Sequence, residues 1–135
     1  MNTKIWYMYR DADNYKTDWQ VIVQGELSWA DIQPFLSDTV GGGPANSKEA
    51  DCFIPYDVGL RDLQEDFGRP GHDGIWHEIP DETAIELTDA PPTVSITAQE
   101  LRDNFRRVGG KWDEAGAVKR HGLEGKTAFD DLEGT

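Results

Sequence analysis

A single cysteine, few basic side chains and no long apolar run characterise this chain of 135 residues more clearly than any motif it contains. Cys52 has no second thiol to pair with, which excludes an intramolecular disulfide framework. It lies in Asp51-Cys52-Phe53-Ile54 and reads as a small packed hydrophobe, with Glu49 and Asp51 alongside to keep its thiol protonated. No apolar stretch approaches the ~20 residues of a membrane-spanning helix. The start, Met1-Asn2-Thr3-Lys4-Ile5-Trp6, lacks the basic and apolar regions of a secretory signal, so a cytoplasmic protein is expected.

The shortage of basic residues is the most informative absence. Lys and Arg number 13 against 26 Asp and Glu, for a net charge of −13. Such a balance disfavours approach to phosphate backbones or anionic lipid, where a binder gains by neutralising charge. Neither direct nucleic-acid binding nor membrane binding is expected, and the favoured partner is a basic protein surface. The excess is uneven. Residues 1–48 carry four basic and six acidic side chains, residues 90–135 seven and eight, and residues 49–89 two and twelve. The twelve are Glu49, Asp51, Asp57, Asp62, Glu65, Asp66, Asp73, Glu78, Asp81, Glu82, Glu86 and Asp89, and they form the candidate partner-binding set.

Lys4-Ile5-Trp6-Tyr7-Met8-Tyr9 has the composition of a strand buried on much of both faces. Turn chemistry over residues 10–16 and a β-type run at Trp19-Gln20-Val21-Ile22-Val23 predict an antiparallel hairpin. Ser28 reads as the N-cap of a short helix over 29–36 with Trp29, Ile32 and Leu36 on one face, and Pro34 shortens or bends it. Further strands are expected at 51–54, 75–79 and 83–88, and Pro91-Pro92 breaks any regular element that would run on from the last of them. The clearest helix runs from Thr97 to Val108. Thr97 and Glu100 form a capping box, Leu101, Phe105 and Val108 share a face, and Arg102, Arg106 and Arg107 lie opposite, expected as a solvated face with internal pairing to the acidic middle as the alternative. Together these predict one α+β domain over 1–119, a mainly antiparallel sheet covered by a C-terminal helix and a short N-terminal helix. Residues 41–48 read as an internal flexible loop and 120–135 as a mobile tail.

Candidate chemistry is sparse. Asp11-Ala12-Asp13-Asn14 fails as a calcium loop, because the positions that need glycine and glutamate hold Lys16 and Ile22. Gly41-Gly42-Gly43-Pro44 lacks the Gly-Lys-Ser/Thr of a phosphate loop. His72-Asp73-Gly74-Ile75-Trp76-His77-Glu78 brings two imidazoles and two carboxylates close in sequence. The five-residue histidine spacing fits neither one helical turn nor one face of a strand. No cofactor or metal is assigned.

Tyr9-Arg10-Asp11-Ala12-Asp13-Asn14-Tyr15-Lys16, Phe53-Ile54-Pro55, Val58-Gly59-Leu60 and Trp76-His77-Glu78-Ile79 together resemble a loose group of small prokaryotic proteins, over roughly residues 4–80. The resemblance implies a bacterial or phage origin and carries no catalytic assignment. The leading expectation is an acidic protein-binding module without enzymatic activity, such as a nucleic-acid mimic of the anti-CRISPR or anti-defence kind, whose carboxylates occupy a basic groove in place of phosphates. Alternatives are a small metal-dependent or acid/base enzyme centred on His72, Asp73, His77 and Glu78, or an accessory or immunity-type protein with an aromatic interface.

Overall fold

The computed structural model describes residues 1–10, 16–37, 51–67 and 76–122. The hairpin turn expected between the first two strands, at 11–15, the glycine-rich loop at 41–48, and Glu49, His72 and Asp73 lie outside them. The fold is α+β, with a five-stranded antiparallel sheet and several helices. Strand β1 (Asn2–Arg10) pairs with β2 (Lys16–Val23) through the whole expected hairpin, in the register Ile5 opposite Val21 and Tyr7 opposite Trp19. At nine residues β1 is long enough to hold two short strands end to end along its other edge. Strand β5 (Ile85–Thr88) pairs with Asn2–Ile5, and β4 (His77–Glu78) pairs at Met8 and in turn with β3 (Cys52–Phe53).

Period-two alternation sorts the faces. Thr3, Ile5, Tyr7 and Tyr9 project inward with Val21 and Val23, whereas Lys4 and Trp6 on the other face are only half-buried. The expectation of a strand buried on both faces therefore holds only at its end, where Met8 is covered as well. The inner face packs on α1 (Trp29–Ile32), which continues as a 3₁₀ turn containing Pro34, and on α2 (Pro55–Val58) and α3 (Ala98–Val108). Helix α3 supplies the buried Leu101 and Phe105. Its capping box is formed as the sequence predicts: the Glu100 backbone N–H donates to the Thr97 hydroxyl at 3.1 Å, and the Thr97 N–H donates to the Glu100 carboxylate at 3.2 Å.

The arginine face of α3 is not uniformly solvated. Arg106 is exposed, but Arg102 donates to the Glu26 carbonyl at 2.8 Å and reaches Asp31 at 3.4 Å, and Arg107 donates to the Asp57 carbonyl at 3.2 Å. A second departure comes after Trp112. Helix α4 (Glu114–Arg120) covers the outer face of β3 and β4, where Ala117 packs with Cys52, Ile54 and Trp76. Arg120 and His121, expected to open a mobile tail, lie against Asp57 instead.

Helix α2 opens with Pro55, whose missing N–H is not needed there, and closes on Gly59 at φ +92°. A Cβ built on Gly59 would sit 2.6 Å from Ile96 Cδ1. Gly59→Ala thus combines a left-handed backbone with a steric conflict. Its expected cost is at least about 1–2 kcal/mol, measured by urea unfolding.

Candidate functional site

The structure separates the twelve candidate carboxylates by environment, because position along the chain does not fix the direction of a side chain. Asp57 and Asp62 are buried and serve the fold. Both oxygens of Asp57 accept from Arg120 Nη2 at 3.1 Å, and Oδ1 lies 2.7 Å from His121 Nε2, which clasps α4 to α2. Asp62 Oδ1 accepts the Gln64 backbone N–H at 2.8 Å and so shapes the turn after α2. Neither is available to a docking partner, and their assignment to the partner-binding surface is corrected accordingly. Asp66 falls within a 3₁₀ turn over Leu63–Phe67. Glu65 is exposed beside Tyr56, whose phenol is held above its ordinary pKa chiefly by burial and further by that carboxylate.

Asp51 and Glu78 are half-buried on the outer face of the sheet, around Cys52, which stands opposite Glu78 in the β3–β4 register. The ligand atoms of the three lie within 4.8 Å of one another, a set of two carboxylates and a thiol. The thiol donates to Asp51 Oδ1 at 3.2 Å, a structural hydrogen bond on a residue that is buried as expected. His77 projects to the other face. Its Nε2 accepts the Leu63 backbone N–H at 3.0 Å, which requires a neutral imidazole protonated at Nδ1. With its lone pair so used, Nε2 cannot also donate to Asp62 Oδ1 3.6 Å away, and the two do not form an ion pair through that nitrogen. His77 and Glu78 therefore cannot act on one substrate atom: consecutive strand residues face opposite ways.

The remaining four are exposed: Asp81 and Glu82 in the turn into β5, Glu86 on the strand and Asp89 in the bend just after it. Asp81 caps that turn, accepting from the Thr83 hydroxyl and, at 2.9 Å, from its N–H, and these bonds lower its pKa. Glu86 meets Lys4 across the β1–β5 pair at 3.2 Å. On the opposite face of β5, Ile85 and Leu87 point to the side on which α1 lies. Because α1 is only four residues long it does not cover them, and a groove of about 710 Å³ opens there. Leu27, Trp29, Ile85 and Leu87 provide its apolar lining, and Glu26, Asp31 and Glu82 its acidic side chains. Asp31 accepts from the Ser28 N–H at 2.9 Å and hydroxyl at 3.1 Å. The first of these bonds does most to hold its pKa below the ordinary value, with Arg102 assisting.

On the same inner face, Trp19 of β2 is 42% exposed. The Arg61 guanidinium covers its ring at 5.0 Å, while the Arg61 carbonyl accepts from Tyr7 Oη at 2.8 Å. Leu87, at 46% exposure, has no such cover among the described residues. Sequence reasoning missed the groove because Glu26 and Asp31 belong to the near-neutral N-terminal region. The Ile85-Glu86-Leu87 alternation was the one local sign of it.

Among the described residues no helix is long and apolar enough to cross a membrane. Comparison with protein-family models, curated proteins and solved structures finds no match to this chain.

Proposed function

We propose that this protein is a binding module for a basic protein surface, and that its docking side is the β5 edge with the neighbouring groove. The carrying observation is the concentration of exposed acid there: Asp81, Glu82, Glu86 and Asp89 on one short stretch, with Glu26 across the groove. Carboxylates on a paired strand and a capped turn are pre-organised, so they attract a basic partner with little further ordering cost. A surface that ordinarily holds nucleic acid is the natural target, since carboxylates can take the place of phosphates. Docking would then exclude the nucleic acid, the action of an inhibitor of a nuclease or defence complex. A cytoplasmic setting accords with the free thiol of Cys52.

The test is affinity capture from a bacterial extract with stepwise salt elution, comparing wild type with D81N/E82Q/E86Q/D89N. Wild type is expected to hold a basic partner that leaves as salt rises, and the neutralised variant to hold at least tenfold less. Equal, salt-indifferent capture by both proteins would refute the reading.

A further inference from the structure

The groove between α1 and β5 adds an apolar component to an otherwise electrostatic surface. We propose that it receives a short basic segment of the partner, with one or two large apolar side chains seated between flanking Lys or Arg residues. This rests on the basic-partner reading above and specifies what the partner must present.

Three observations select that occupant. The lining includes the apolar Leu27, Trp29, Ile85 and Leu87, and the volume of about 710 Å³ is within the range of ligand-holding clefts, roughly 300–1,000 Å³. Leu87 stands 46% exposed on the groove side of β5, so covering it removes apolar surface from water. Glu26 and Glu82 are exposed at the groove, and Asp31 beside them stays ionised well into acid. A wholly apolar ligand would leave Glu26 and Glu82 without a counterpart, Asp31 being already met by Arg102 at 3.4 Å, and a wholly charged one would leave Leu87 wet.

Charge also excludes two occupants closer at hand. Residues 123–135 carry four acidic side chains against one basic, and a second copy of the chain brings a net −13. Both would be repelled. Beside the groove, β5 pairs with β1 alone among the described residues. An extended segment can therefore run along β5 while its side chains enter the groove, a common mode of peptide capture.

The experiment titrates the full chain, observed by amide NMR, with the hexapeptide Lys-Lys-Leu-Phe-Lys-Lys. Controls are Lys-Lys-Gly-Gly-Lys-Lys and Glu-Glu-Leu-Phe-Glu-Glu. The first peptide is expected to bind at least tenfold more tightly than either control, shifting amides of 26–31 and 82–87. L87K should weaken it at least tenfold. E26Q/E82Q should weaken it several-fold at low salt and serves should L87K perturb the fold. Equal, salt-sensitive binding of the two cationic peptides would overturn the groove as a site and leave the basic-partner reading intact. Absence of binding by every peptide, with salt-sensitive capture from extract retained, would do the same. Sedimentation showing a dimer that L87K dissociates would overturn it in favour of a second copy.

Discussion

Phe105→Ala is expected to cost about 3–5 kcal/mol. The ring is fully buried on α3 and packs on Phe53 at 5.9 Å and on Trp112 at 6.3 Å between centroids. It therefore sits where three parts of the fold meet: the helix, the β3 strand and the approach to α4. Phe53 in turn meets Tyr7 edge-on at 5.6 Å, so a cavity at Phe105 borders the aromatic centre of the sheet. Trp112 is anchored separately by its indole N–H, which donates to the Phe35 carbonyl at 2.7 Å. The surroundings are therefore held on several sides and collapse little into the space, which places the loss towards the upper end. For a domain of this size it corresponds to a melting temperature lower by about 10–18 °C. Calorimetry or urea unfolding measures it, and a loss below about 1 kcal/mol would mean that the aromatic centre is not packed as described.

A second large effect is expected in alkali. Burial is the main cause that pushes the Tyr7 phenol well above its ordinary pKa of 10.0, with Glu65 and Asp62 adding to it and Arg61 opposing. The folded protein thus keeps a proton that the unfolded chain releases. This contribution to stability is fully present below pH 10 and is lost as pH rises from there towards the folded value. While that window lasts the slope is about 1.4 kcal/mol per pH unit. Ionisation also removes the O–H that the Arg61 carbonyl accepts at 2.8 Å. Tyr7→Phe should be less stable than wild type near pH 8 by about 1–2 kcal/mol, for the lost hydrogen bond and the unpaired carbonyl. Above pH 10 the difference should shrink, because the variant has no proton to lose at this position. Denaturation midpoints of the two proteins from pH 8 to 12 test this, and parallel curves would contradict the assignment.

The elements read correctly from sequence are those whose signals are local. The β1–β2 hairpin follows from two runs of β-type composition, and α3 from a capping box followed by apolar spacing. The short strands are located by sequence but not their extent or their partners: strands expected at 51–54 and 75–79 stand at Cys52–Phe53 and His77–Glu78. Strands β3 and β4 are two residues each and exist because Cys52 lies opposite Glu78 and Phe53 opposite His77, pairings between distant parts of the chain. Helix α4 has seven residues with Gly116 among them, and is fixed in part by Arg120 and His121 reaching a carboxylate more than sixty positions earlier. Nothing near residue 120 announces that partner.

The candidate site divides in the same way. Counting charge along the chain located an acidic middle third, but burial decides which of its carboxylates face water. Asp57 and Asp62 are drawn inside because an arginine, a histidine and a turn N–H await them there. The Asp81–Asp89 stretch stays outside because it forms the edge of the sheet. The groove beside it was not legible, since its walls come from two stretches more than fifty residues apart and its depth from the shortness of α1.

Hydrogen–deuterium exchange on the complex with a captured partner tests the docking side most directly. Protection is expected in residues 26–31 and 81–89, with the outer-face residues Asp51, Cys52 and Glu78 unchanged. Protection confined to that outer face or to α4, with 81–89 unaffected, would contradict the account.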